Sequence, residues 1–330
     1  MRRVTLDDVA SAAGVSRATA SRALTGSGPV SPQTADKVRH AAQRLSFSPN
    51  QAARALASSR TQTIALVIPE PDSLVLGDPF LSCAITGVSE AFRATDYQVV
   101  LLMVRPDEPP AKVARVLRSD YVDGAIVVSQ HRSDHVAQII ADNDIPAVYV
   151  SRPWTGSGMY VDLDNVRVGE IATRRLIDVG ARRIACIAGS PDMIPVQDRT
   201  NGWHRALAQA GLTPGPMCNA TFTLAGGEQC MRAILATDPQ VDGVFAQSDL
   251  MAAGAIRVLR DHGIDVPGKV RVIGVDNAEV GRTTVPPLSS VTNPAAELSL
   301  RAARMLLRVI DKEEVSPDIL QPELVLRESA

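Results

Sequence analysis

The sequence predicts an all-α helix-turn-helix head joined to an α/β body of two doubly wound subdomains. Three observations carry that expectation. The first is a division of charge. Over 330 residues, 34 Lys plus Arg stand against 36 Asp plus Glu, a formal net charge of −2. Residues 1–60, however, hold nine cations (Arg2, Arg3, Arg17, Arg22, Lys37, Arg39, Arg44, Arg54, Arg60) against Asp7, Asp8 and Asp36, so the head is +6 and the remainder −8. The second is that helix start signals recur three times within the basic stretch, and the third is that apolar strands alternate with amphipathic helices from Thr63 onward. At about 150 residues per domain, the length accommodates two or three domains.

In the head, Thr5 is placed to cap a helix with Asp8 at its third position, a capping-box pattern with acids in the first turn. Leu6, Val9, Ala10 and Ala13 follow at helical spacing, and Gly14 supplies a left-handed end. Ser16 caps a second helix over about 17–25 that buries Ala20 and Leu24 and exposes Arg17, Ala18, Ser21 and Arg22. Ser31-Pro32 opens a third helix with Val38, Ala41, Ala42 and Leu45 on one face. Two short helices joined by a glycine turn and braced by a third form a helix-turn-helix, whose cationic second helix fits a major groove about 12 Å wide. A basic head on an acidic body suits a polyanionic partner; a solvated basic surface is the blander alternative.

Ser48-Pro49 repeats the start signal before NQAARALAS (50–58). Nine residues are fewer than the roughly 12–15 that an isolated helix needs, so this segment requires a partner to hold it. Leu56 there is either a wedge for a minor-groove step or a contact with the following domain.

Buried parallel strands are predicted at 63–69, 97–104, 123–128, 146–150, 182–189, 241–247 and 269–276. Helices are predicted near 81–95, 108–119, 133–143, 165–179, 198–211, 226–237 and 249–263. Two doubly wound units of about 100–130 residues follow, enclosing a cleft beyond the carboxyl ends of their strands. No G-x-G-x-x-G follows a strand and no G-x-x-x-x-G-K-[ST] occurs, so nothing points to an enzyme, a cofactor or a metal. The five histidines, including His131 and His135, read as surface residues. Cys83, Cys186, Cys218 and Cys230 are far apart and read as free thiols of a reducing compartment. No run approaches 18 uncharged apolar residues, and Met1-Arg2-Arg3 begins no apolar signal core, which points to the cytoplasm and no membrane.

With head, linker and double α/β body in this order, the chain resembles the LacI/GalR family of bacterial transcription regulators, whose body is periplasmic-binding-protein-like. The resemblance spans nearly the full length. It is carried by VTLDDVASAAGVSRATASRAL (4–24), SPNQAARALASSRTQTIALVIP (48–69), DPF (78–80), GARRIACIAG (180–189), RTNGW (199–203), SDLMAAG (248–254), VPGKVRVIGVDN (266–277) and PPLSSVTNP (286–294). It implies three domains: a DNA-binding head at 1–47, a hinge helix and linker at 48–60, and an effector-binding and dimerisation domain at 61–330. Within the last, the chain crosses between subdomains, giving an N-subdomain of about 61–160 plus 291–320 and a C-subdomain of about 161–290 plus 321–330.

The resemblance implies base reading by Arg17, Ala18 and Arg22, nucleoid-associated action on a pseudo-palindromic double-stranded operator, and a homodimer. Arginine donates two hydrogen bonds to guanine, whereas Ala18 offers only an apolar contact. Thr5, Ser16, Thr19, Ser21, Ser31 and Asn50 match backbone-contacting positions, with helix capping the alternative for Thr5, Ser16, Ser21 and Ser31. Ala53, Arg54 and Leu56 match the minor-groove hinge, which favours the wedge for Leu56. In the cleft, Arg199 matches a ligand-forking arginine, Asp276 an acceptor for hydroxyls and Phe222 a stacking aromatic, with Phe80, Ser151, Ser248, Asp249 and Asn293 beside them. Helix capping is the alternative for Asp249 and Asp276. Ser151, Ser248 and Asn293 depart from the Asp, Asn and Gln common among sugar-responsive members. This apparent shortage of acids near Arg152 and Arg199 leaves a sugar acid open beside a sugar. The function expected is a repressor controlled by that effector; the alternative is a small-molecule binding protein without an operator. With no heptad segment before Ala330, a tetramer is not expected.

Overall fold

In the computed structural model, which describes residues 4–25, 28–47, 60–118, 120–156 and 158–330, the chain forms two units, residues 1–61 and 62–330. The first unit is built by local caps. Thr5 N donates to Asp8 Oδ2 (2.8 Å) and Asp8 N to Thr5 Oγ1 (3.4 Å), opening α1 (Leu6–Ala13). Gly14, at φ 67°, ends it in a left-handed conformation that costs glycine little. Ser16 then caps α2 (Arg17–Thr25), its Oγ accepting from Thr19 N at 3.1 Å. Ser31 Oγ accepts from Thr34 N at 3.3 Å to open α3 (Pro32–Arg44), with Pro32 in the first turn. Val9, Ala10, Ala20, Val38, Ala41 and Ala42 form the core, and Leu6, Leu24, Leu45 and Phe47 pack against it.

The second unit contains two six-stranded sheets. The first has β1 (Thr63–Ile68), β2 (Gln98–Met103), β3 (Gly124–Val128), β4 (Ala147–Val150), β5 (Met159–Leu163) and β11 (Asp318–Leu320) in the order β11-β5-β4-β3-β1-β2, all parallel. The second has β6 (Ile184–Ala188), β7 (Met217–Asn219), β8 (Gly243–Ala246), β9 (Arg271–Asp276), β10 (Ser289–Thr292) and β12 (Leu324–Val325) in the order β12-β10-β9-β8-β6-β7. Only β12, against β10, is antiparallel. The first lobe carries α4 (Asp72–Gly77), α5 (Pro79–Phe92), α6 (Pro110–Val116) and α7 (Val136–Asp142). The second carries α8 (Asn165–Asp178), α9 (Ile194–Gln209), α10 (Leu224–Thr237), α11 (Asp249–Asp261) and α12 (Glu279–Thr283). Late in the chain, α13 (Ala295–Ile310) returns to the first lobe and packs on α5 and β4. The chain therefore crosses three times, after Leu163, Thr292 and Leu320.

Apolar runs in the central strands are buried on both faces, as parallel sheets covered by helices require. The periodicity missed the short β5, β7, β10, β11, β12, α4 and α12, and also the 16-residue α13. Helix α9 begins at Ile194 rather than near 198, because Pro195 fits its first turn.

The cysteine reading needs correction. Cys218 on β7 and Cys230 on α10 form a disulfide, with Cα atoms 5.5 Å apart; Cys83 and Cys186 are free. Packing of the edge strand on the helix brings together two thiols that sequence spacing kept apart.

Helices α8 and α9 touch backbone to backbone. A Cβ on Gly169 would lie 2.0 Å from Arg199 O, and one on Gly202 2.0 Å from Val166 O. Since that contact seats Arg199, Gly169→Ala is expected to cost about 1–3 kcal/mol through overpacking. Chemical denaturation measures the loss, and an unchanged midpoint would contradict so close a contact.

Candidate ligand cleft and nucleic-acid face

Within the first unit, α2 presents Arg17, Ala18 and Arg22 exposed to solvent, with Thr19 and Ser21 half-buried. Arg17 Nε lies 3.7 Å from Asp7 Oδ1, but both side chains are largely exposed, so this pair is weak and leaves the guanidinium available. Thr5, Ser16 and Ser31 are exposed and serve as caps, which leaves hydroxyl lone pairs facing water. Ser16 Oγ and Thr19 Oγ1 are 2.9 Å apart. Asn50, Ala53, Arg54 and Leu56 lie outside the described residues.

Within the second unit, the carboxyl ends of the two sheets face each other across a cleft open to solvent. From the first lobe, Glu70 follows β1, Ser129 and Gln130 follow β3, Ser151 and Arg152 follow β4, and Asp162 ends β5. Asp78 and Phe80 come from the start of α5. The second lobe contributes Arg199, Phe222, Gln247, Ser248 and Asp276, with Asn293 just beyond β10. Thus Phe80, Ser151, Arg199, Phe222, Ser248, Asp276 and Asn293 are brought together. The Phe222 ring lies over Gly189, where a Cβ would meet Cζ at 2.2 Å. Ser248 caps α11, its Oγ accepting from Met251 N at 3.2 Å.

Arg199 is buried, and its Nε donates to Asn165 Oδ1 (2.9 Å) and Nη1 to the Gln247 carbonyl (2.8 Å). Burial lowers its pKa, opposed by the charges of Asp276 and Asp162. Asp276 accepts from Asn293 Nδ2 at 2.9 Å. Burial pushes its carboxyl well above the usual range despite the pull of Arg199. Burial also raises Asp78 and Asp162 to about 6 each. Asp162 is held by Arg152 N (3.1 Å), Leu163 N (2.8 Å) and Asn165 Nδ2 (3.0 Å). Hydrogen-bonding carboxylates facing a cation, beside two aromatic rings, can satisfy the hydroxyls and apolar faces of a polyhydroxy ligand.

Asp249 does not join them. It is fully buried behind the cleft, accepting from Ala278 N and Ser290 Oγ at 2.7 Å each, and ties the loop after Asp276 to β10. Ser248 is the extended N-cap residue and Asp249 the first residue of the helix, so the chain turns between them and sends Asp249 inward. Burial raises its carboxyl to about 7. His131 is also misread as a surface residue: it is mostly buried, between Glu70 and Asp192. Sequence reasoning missed Glu70, Asp78, Asp162, Asn165 and Gln247 as lining residues. For all but Asp78 the signal was position, since Glu70, Asp162, Asn165 and Gln247 lie within two residues of the carboxyl ends of strands, where open α/β sheets bind ligands.

The model of bacterial regulatory proteins of the lacI family matches residues 5–50, and that of the periplasmic binding protein-like domain matches residues 173–330. The HTH-type transcriptional regulator CelR of Thermobifida fusca is 39% identical, covering 99% of this chain and 98% of that protein. GntR of Pseudomonas aeruginosa, another HTH-type transcriptional regulator, is 34% identical over 99% and 96%. Among solved structures, a CelR–cellobiose complex superposes with a TM-score of 0.79 at 37% identity, over 99% of this chain and 100% of that one. A lac repressor dimer bound to operator and anti-inducer gives 0.88 at 24% identity over 99% of each chain, a likeness of fold. These relatives are regulators, not enzymes. With its head, its two-lobed body and full-length relatives in agreement, the chain belongs to the LacI family of bacterial transcription regulators.

Proposed function

We propose that the protein is a repressor that binds a pseudo-palindromic operator as a homodimer, its hold on DNA set by a neutral sugar in the cleft. The observation that carries the ligand class is the charge around Arg199. Glu70, Asp78, Asp162 and Asp276 line the cleft against Arg152 and Arg199, and Arg152 is already paired with Asp198 at 2.7 Å. The shortage of acids that left a sugar acid open is made good by residues from other strand ends. A ligand carboxylate would find Arg152 and His131 already paired and Arg199 already bonded to Asn165 and the Gln247 carbonyl, whereas hydroxyls find both acceptors and donors. The cellobiose held by the CelR relative supports the same class.

Calorimetric titration with glucose, cellobiose, gluconate and cellobionate tests this. A neutral sugar should bind at least about tenfold more tightly than its acid, equivalent to 1.4 kcal/mol. Tighter binding of the acid would overturn the assignment.

On the DNA side, Arg17 and Arg22 read guanines and Ala18 packs on a thymine methyl. The hydroxyls of Thr5, Ser16, Thr19, Ser21 and Ser31, with Asn50, meet the backbone, and Ala53, Arg54 and Leu56 enter the minor groove at the dyad. The domain division is the head at 1–47, hinge at 48–60 and effector body at 61–330. Operator affinity should fall by about 10³–10⁵ between 50 and 200 mM salt if the dimer neutralises six to ten phosphates. Salt-independent binding in fluorescence anisotropy would contradict the operator role. The site of action is the bacterial cytoplasm, where the Cys218–Cys230 pair faces reduction.

A further inference from the structure

We propose that His131 is a positioning residue of the cleft: bonded at once to Glu70 of the first lobe and Asp192 of the second, it holds the lobes together and aims Glu70 at the ligand. The proposal rests on reading the cleft as a sugar site. His131 Nε2 lies 2.9 Å from Glu70 Oε1, and Nδ1 lies 2.9 Å from Asp192 Oδ1. Both ring nitrogens can donate only in the imidazolium form. Ser129 Oγ also donates to Glu70 Oε1 (2.6 Å), which occupies that oxygen. Glu70 Oε2 has no protein partner among the described residues, and the side chain lines the cleft.

Asp192, in the β6–α9 connection, gathers further first-lobe donors. Its carbonyl accepts from Arg132 N (2.9 Å) and Trp154 Nε1 (2.8 Å), and the Arg132 guanidinium lies 5.3 Å from the centroid of the Trp154 ring. Ser190 Oγ holds Asp192 Oδ1 at 2.6 Å from within its own lobe. The Arg152–Asp198 ion pair also crosses between the lobes but is half-exposed.

Burial works against the imidazolium, yet Glu70 and Asp192 together outweigh it and raise His131 to about 9. Burial likewise opposes ionisation of Asp192, and Ser190 and His131 overcome it. The other charged groups near His131 are Asp134, whose Oδ2 accepts from His131 N (2.8 Å), with Arg132 and His135 on the same loop; Asp78 faces Glu70. A raised histidine pKa favours the closed form fully below about 6.5, and that contribution is lost as pH rises through about 9. The clasp is therefore closed throughout the neutral range.

Acrylamide quenching of tryptophan fluorescence in the ligand-free full chain reads closure directly. Trp203 is buried and constant, whereas Trp154 reports on the lobe junction. In the native protein, quenching should stay low at neutral pH and rise above about pH 8.5 as the imidazolium deprotonates. His131→Gln and Asp192→Asn should both be strongly quenched at every pH. Cellobiose affinity at neutral pH should fall about tenfold or more in His131→Gln, and should lose its decline at high pH. Quenching that ignores both the variants and the pH would overturn the clasp, even if cellobiose binds every form. Quenching that follows His131 while cellobiose binds no form would leave the clasp standing and remove the sugar reading instead.

Discussion

Arg199→Ala is expected to weaken sugar binding about a hundredfold or more while leaving operator recognition by the separate head intact. The guanidinium is the buried cation facing Asp276 and Asp162, and it fastens Asn165 to the Gln247 carbonyl. A ligand that shares this fork loses charge-assisted hydrogen bonds of about 1.5–3 kcal/mol each, so affinity should fall by about a hundredfold or more. Stability should fall as well, because Asn165 Oδ1 and the Gln247 carbonyl lose their donor, at about 1–3 kcal/mol for each buried group left unsatisfied. Arg199→Lys restores a charge but not a planar fork, and should recover stability better than affinity. Calorimetry for binding and thermal unfolding for stability separate the two losses. Unchanged sugar affinity in Arg199→Ala would remove Arg199 from the site.

Arg17→Ala is expected to relax discrimination at one symmetric base pair of the operator. Arg17 and Arg22 stand exposed on the same helix, and a good bidentate contact to guanine is worth about 1–3 kcal/mol. A dimer uses each residue twice, so the specific complex should lose about 2–6 kcal/mol, whereas non-specific binding loses only one charge per head. The preferred site is first selected from randomised DNA, and anisotropy against single-base variants then reads the change. Equal weakening on every sequence would make Arg17 a phosphate contact. Sugar binding should be unchanged.

How much of this was visible beforehand depends on how far apart the interacting residues lie. The head was readable in full because each of its signals acts within one turn: Thr5 with Asp8, Gly14 at its left-handed bend, Ser16 with Thr19, and Ser31 before Pro32. Central strands were readable because burial on both faces leaves continuous apolar runs. The edge strand β7 was not, since three residues, of which Met217 and Asn219 are exposed, carry no such pattern. Arg199, Asp276 and Phe222 came from family resemblance rather than periodicity. That resemblance also put Asp249 in the cleft, where the turn from the extended cap Ser248 into the helix sends its side chain to the core instead.

By itself, the sequence determined the three helices of the head, the split between a cationic head and an acidic body, and the alternation of strands with helices. Caps, periodicity and net charge are properties of neighbouring residues. The three crossings between the lobes followed from family resemblance rather than from periodicity, and tertiary structure alone decided that Cys218 meets Cys230 and which carboxylates surround Arg199. It alone placed Glu70 and Asp192 on either side of His131, each 61 positions away in the chain. Burial and ion pairing depend on what the strand ends bring together, and in a parallel sheet adjacent strand ends are separated in sequence by a whole crossover.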